Sequence, residues 1–184
     1  MSIPNSANIS EVERKEILER VKERAASYQY EFRGCGRSLV LALQEEFDLP
    51  GGTTALKSAS FAGRGIARIG NACGALFGGV IAIGLAHGPD NLEDPIFPQQ
   101  ESVDEKTGNP RSLEVIRKFF QKFEQEMGGT MCREIQSKLF GRCYNTLIPA
   151  ENKEFSQLSR EKCAERVGKI ARYAAEAILD MPKR

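Results

Sequence analysis

The stretch ARIGNACGALFGGVIAIGLAHG, residues 67–88, decides how this chain is read. It is apolar and studded with glycine, contains Cys73, and reaches His87, the sole histidine. A transmembrane helix needs roughly 20 consecutive apolar residues. Ala72 to Ala86 supplies 15, with glycines in its middle turns and Arg64 and Arg68 just before it. The segment is too short to span a bilayer, and its even apolarity suits a central helix buried in a bundle. Gly70, Gly74 and Gly78 recur every four residues and would form a smooth groove on one helix face, along which another backbone can approach.

A dinucleotide loop would require G-x-G-x-x-G after a strand. Gly63-Arg64-Gly65 is followed by Arg68 where the third glycine belongs, no strand precedes it, and no G-x-x-x-x-G-K-[ST] occurs, so no nucleotide cofactor is expected. His87 lies fourteen residues beyond Cys73, about 21 Å along a continuous helix. It is therefore read as a structural residue rather than a ligand.

At 184 residues the chain can bury a full core as one helical domain, 1–184. Its 26 basic and 25 acidic residues leave a formal net charge of +1, without the basic excess of a nucleic-acid binder. Tryptophan is absent, which removes the usual base-stacking platform. The N-terminal MSIPNSANISEVERKE carries no apolar leader core, twin-arginine pair or lipidation signature, so a cytoplasmic protein without membrane insertion is expected. In that compartment thiols stay reduced, and five cysteines point to catalysis, metal binding or core filling before structural disulfides.

Helical spacing recurs along the chain. Residues 10–32 form an amphipathic pattern with Ser10 and Glu13 set as a capping box. A second helix runs to Phe47, followed by a short helix and a glycine-rich turn. Residues 88–110, rich in Pro, Asp and Gln, read as a long loop. SLEVIRKFFQKFEQEM, Met131–Phe140 and a last helix from about Ser159 complete the pattern. With no strand pattern, the expected fold is an all-α bundle of five to seven helices.

On this map Cys35, Cys73, Cys132 and Cys163 fall in or near the first turn of four helices, while Cys143 sits in a loop. Free N–H groups and the positive end of the helix dipole favour a thiolate there, and the thiolate is the form that attacks disulfides and binds metals. Cys132 also shares a face with Ile135 and Leu139, and Cys163 with Val167 and Ile170, and any one of the four would serve as a small core residue. Spacing offers no C-x-x-C, no C-x-x-C-H for covalent haem and no deaminase zinc motif.

Cys73-Gly74-Ala75-Leu76-Phe77-Gly78 resembles the signature of the C_GCAxxG_C_C family of redox-active proteins, which place one cysteine before the signature and two after it. Cys35, Cys132 and Cys163 occupy those places, and the similarity runs over roughly residues 15–180. Cys143 is additional to the pattern. The resemblance implies a redox role. Split-Soret cytochromes look related and carry an iron–sulfur cluster beside haem; without a haem motif only the cluster part could transfer here.

The expected function is electron transfer by an oxidoreductase or electron carrier working with a redox partner protein. Cys35, Cys73, Cys132 and Cys163 would be its redox residues. With Gly74 beside them they would contact a cofactor, and as thiolates they would ligate an iron–sulfur cluster or other metal. Alternatively two of the four would cycle between dithiol and disulfide, with Cys73 attacking and Cys35 or Cys132 resolving. Cys73 is expected to be the most activated thiol, aided by Arg64 or Arg68. The contrasting reading is a helical binding or assembly module with core cysteines, whose apolar faces would also suit a homodimer. A small-molecule enzyme near Arg64 and Arg68 finds no acid–base pair to support it.

Overall fold

The computed structural model describes residues 9–97, 102–103, 105 and 109–182. Among them are seven helices: α1 (Glu11–Phe32), α2 (Cys35–Phe47), α3 (Gly52–Ser58), α4 (Gly74–His87), α5 (Arg111–Met127), α6 (Cys132–Phe140) and α7 (Pro149–Asp180). The described residues form no sheet, only two isolated antiparallel bridges, Ala72 with Met131 and Val103 with Pro110. The all-α expectation therefore holds. Of the loop read at 88–110, residues 88–97 are irregular, and residues 98–101, 104 and 106–108 lie outside the described residues.

Local chemistry accounts for most boundaries. The Glu13 backbone N–H donates to the Ser10 side chain at 3.2 Å and starts α1. That helix buries Ile17, Leu18, Val21 and Ala25. In α5 the apolar stripe narrows to Val115, Phe119, Phe123 and Met127, while Phe120 faces solvent. Gly128, at φ 72°, turns the chain out of that helix where a side chain would be strained.

The last helix starts ten residues earlier than the sequence suggests, at Pro149 rather than Ser159. Proline at the first helical position lacks only a donor that would be unsatisfied there. Ser159, where the sequence suggests a start, is instead buried inside the helix. This 32-residue α7 packs against α1, α2, α4 and α5 and is the element on which most of the bundle rests. The glycine-rich α4 packs on α2 and α7 but leaves Phe77 and Val80 exposed. Buried side chains from α1, α2, α4, α5, α6 and α7 join in one apolar cluster. No helix among the described residues is long and apolar enough to cross a membrane.

Two close helix approaches rest on glycine. A Cβ added at Gly78 would lie 2.7 Å from the Gly36 carbonyl oxygen and 2.8 Å from its Cα, so α4 and α2 meet backbone to backbone. One added at Gly168 would lie 2.6 Å from the Lys22 carbonyl oxygen, where α7 meets α1. Gly70 does not belong to this groove. It precedes α4, at φ 74°, and packs against Arg133.

Between α3 and α4 the chain makes a left-handed turn. Arg64, Gly65, Ile66, Ala67 and Arg68 all have positive φ, between 46° and 78°. Only one is glycine, and left-handed backbone costs other residues roughly 1–2 kcal/mol each. Hydrogen bonds hold the turn: Ile66 N–H to Ala62 O at 3.2 Å, Ala67 N–H to Phe61 O at 2.7 Å, and Thr146 Oγ1 to Arg68 O at 3.1 Å. Ala67 is exposed and buries nothing, so Ala67→Gly should relieve strain and raise the melting temperature, by a gain of up to about 1 kcal/mol. A scanning calorimetry trace at neutral pH checks this; a lower melting temperature would contradict the strain.

Candidate functional site

The four cysteines come together although they lie far apart in sequence. Cys35, Cys73, Cys132 and Cys163 all line one cavity of about 60 Å³, and Gly74 lines it with them. Cys143 is exposed and is not part of the lining.

Each wall has a local cause. Cys35 is the first residue of α2, reached through the extended Gly34, whose N–H donates to Gln29 Oε1 of α1 at 3.0 Å. Cys73 is the N-cap of α4 rather than its second residue. Cys132 opens α6. The backbones before α4 and α6 pair: Cys73 N–H donates to Thr130 O and Cys132 N–H to Asn71 O, both at 2.8 Å, which sets these two helix starts side by side. Cys163 lies in the middle of α7, not in a first turn, because that helix begins at Pro149. It reaches the cavity from the side, so three helix starts converge on the site and not four.

The signature residues have packing roles. A Cβ on Gly74 would lie 2.5 Å from the Ala62 carbonyl oxygen and 3.2 Å from the Cys35 Cβ. Ala75 is fully buried, and Gly78 rests on Gly36. The small residues of Cys-Gly-Ala-x-x-Gly thus let α4 approach α2 closely enough to bring Cys73 beside Cys35.

Electrostatics differ from the expectation of an activated Cys73. Burial dominates and pushes all four thiols above the ordinary value. Cys132 is pushed up to about 11 and Cys163 to about 12. Cys73 rises further, because the Ala75 and Leu76 N–H groups offset only part of the cost of burial. The helix start helps a thiolate, but loss of water costs more.

In Cys73, Cys132 and Cys163 alike, Cys35 is the neighbouring thiol that contributes most after burial. A Cys35 thiolate would therefore act against ionisation of each of the other three. The Arg64 backbone N–H, its own N–H and the Arg64 and Arg33 guanidiniums all favour its thiolate. Gln136 Nε2 donates to Cys132 Sγ at 3.3 Å, while its Oε1 accepts from Tyr144 N–H at 3.0 Å, which fixes the amide.

These shifts have a pH consequence. A thiol raised in the folded state stays neutral while its unfolded counterpart ionises, so its stabilisation is complete below the ordinary value of 9.0 and is lost as pH rises toward 11 and 12. The unfolding free energy of the reduced chain should fall above about pH 9, by up to ~1.4 kcal/mol per pH unit for each such thiol, and the melting temperature with it. Replacing Cys73 and Cys163 with alanine should flatten that slope; an unchanged slope would contradict it.

Three arginines join the thiols in the lining: Arg33, Arg64 and Arg166. Arg33 Nη2 donates to Ser156 O and Arg64 Nη2 to Ser156 Oγ, each at 2.8 Å, so both dock on α7. The Arg64 guanidinium also stands over the Phe155 ring, 5.5 Å from its centre. Its place on the left-handed turn directs it here, whereas Arg68 does not line the cavity.

The sequence pointed to Arg64 but not to Arg33, Arg166, Gln29 or Gln136. Gln136 stands four residues after Cys132 and Arg166 three after Cys163, a helical spacing that would have revealed both. His87 Nε2 lies 2.9 Å from the Ile178 carbonyl, a structural contact away from the cavity.

The donor set is soft: four thiols, with no carboxylate or imidazole among the lining residues. Among the described residues no three His, Cys, Asp or Glu side chains are already drawn together closely enough to hold a metal ion. What the arrangement offers is thiol chemistry in a secluded, positively charged recess.

No curated protein and no solved structure matches the chain. One family model does, over residues 34–177, with the description "Putative redox-active protein (C_GCAxxG_C_C)". That span includes all four cavity cysteines and the Cys73–Gly78 signature. The chain belongs to the C_GCAxxG_C_C family of redox-active proteins.

Proposed function

We propose that the protein is an electron-transfer component whose redox centre is the cavity lined by Cys35, Cys73, Cys132 and Cys163. The observation that carries this reading is the gathering of four cysteines from four helices around one recess. Two of these thiols give up two protons and two electrons and form one S–S bond, and the electrons pass to a redox partner protein. Cys35 is taken as the hub, the member common to the redox pairs: its charge reaches the other three thiols, Gly74 beside Cys73 packs on its Cβ, and Arg64 and Arg33 favour its thiolate. Cys35, whose thiolate Arg64 and Arg33 favour, attacks a disulfide of the partner, and a second cavity thiol then closes the S–S bond to Cys35 and displaces the partner's remaining thiol. Cys73, the most enclosed thiol, is the second member of that pair. Burial keeps the resting thiols protonated and slows adventitious oxidation.

A second reading keeps the same four residues as ligands of an iron–sulfur cluster or another thiolate-bound metal. The all-thiol donor set favours it, and the four sulfurs would have to close on the metal. When bound, such a group would supply one-electron chemistry.

Anaerobic purification followed by iron, zinc and sulfide analysis separates the two, with thiols counted before and after a mild disulfide oxidant. Disulfide cycling predicts two thiols lost and regained on reduction, without metal. Stoichiometric metal that renders the thiols unreactive would favour the cluster. Five inert thiols and no metal would contradict both and leave a helical module with core cysteines.

A further inference from the structure

The cavity is uncompensated in charge. Arg33, Arg64 and Arg166 line it, and no aspartate, glutamate, lysine or histidine does. Elsewhere on this protein guanidiniums find carboxylates: Arg20 meets Glu46 at 2.6 Å, Arg14 meets Asp180 at 2.9 Å, Arg142 meets Glu154 at 2.7 Å and Arg172 meets Glu19 at 2.9 Å. Among the described residues, none of the three cavity arginines forms such a pair. Arg64 Nη1 and Arg166 Nε are buried without a hydrogen-bond acceptor, as are Arg14 Nη1 and Arg172 Nε, but the latter two guanidiniums have a carboxylate at another nitrogen and, among the described residues, the cavity pair does not. Leaving a buried donor unmade is costly, more so on a charged group. Burial and the nearby Arg68 and Arg33 charges all act against the Arg64 cation. The protonated thiols supply no negative charge.

We propose that the cavity is a binding site for a small inorganic oxyanion, held by Arg33, Arg64 and Arg166 against the four thiols. Guanidinium groups meet oxyanions through paired, charge-assisted hydrogen bonds. The positive dipole ends of α2, α4 and α6, each beginning at or capped by a cavity cysteine, add potential on the same side. A volume of about 60 Å³ has room for a guest of a few heavy atoms. The ligand site stands on the arginines; its coupling to thiol chemistry rests on the reading of the cavity as a redox centre.

The test uses the reduced, full-length chain and sulfate, an oxyanion inert toward thiols, in isothermal titration at constant ionic strength. One saturable site per chain is expected, with Arg64→Gln and Arg166→Gln each weakening it about tenfold or more. Arg64→Lys should recover part of the loss, and Arg142→Gln should leave binding unchanged. In the wild-type chain, bound sulfate should also slow alkylation of Cys132, a readout that does not depend on how any variant folds. No saturable binding, binding indifferent to Arg64 and Arg166, or unaltered alkylation would overturn the proposal. Reversible thiol oxidation is measured without sulfate, so failure of the redox reading is seen separately.

Discussion

Gly78→Val should be among the most damaging single changes to this fold. The new side chain would enter space already held by the Gly36 backbone, at 2.7 and 2.8 Å from the first added carbon. Neither backbone can rotate away as a side chain would, so the helices must part. Overpacking of this kind costs about 3 kcal/mol, or roughly 6–12 °C in melting temperature for a chain of this size. Because α2 carries Cys35 and α4 begins at Cys73, the same separation should pull the hub thiol from its neighbour. Gly84→Ala, on the same helix, is the contrasting case. A Cβ there meets nothing within 4 Å, and alanine should stabilise the helix by up to about 1 kcal/mol. Thermal unfolding of the two variants against the parent checks both signs. Equal tolerance of both would contradict the backbone contact.

The second large effect concerns Cys35. If it is the member common to the redox pairs, Cys35→Ser should abolish reversible two-electron oxidation of the reduced chain. Cys143→Ser should leave it intact, since Cys143 is exposed and outside the cavity. Serine nearly preserves volume, so the first variant should keep its helical circular dichroism while losing the redox response. A Cys35→Ser protein that still cycles like the parent would contradict the assignment of the hub.

Much of this architecture is legible in the sequence because it is written in periodicity and caps. The Ser10 cap and the Val115-Phe119-Phe123-Met127 stripe follow local rules that packing did not override. The α7 start was obscured because NTLIP reads as a loop, although proline there belongs to the first turn. That misplacement put Cys163 at a helix start and hid Arg166 as its neighbour. The glycine-rich turn before α4 is legible in the sequence, but its left-handed run is not, because Ile66, Ala67 and Arg68 are not residue types that advertise positive φ. Here the fold imposes the conformation, and strain held by surrounding contacts is typical of functional sites.

The site itself divides the same way. Which four cysteines belong together follows from their order around Cys73–Gly78. Their ionisation does not, because position on a helix favours the thiolate while burial opposes it, and only the packed structure shows which prevails. The motif glycines likewise look like a helix groove in sequence. In space they are the reason that Cys35 and Cys73 share a wall.

The most direct test of the account is a map of the sulfur–sulfur links formed when the reduced, full-length chain is oxidised. The free thiols are blocked and the linked peptides identified by mass spectrometry. The account predicts links only among Cys35, Cys73, Cys132 and Cys163, with Cys35 in the principal one and Cys143 recovered in blocked form. Links through Cys143, or none among the four cavity cysteines, would contradict it.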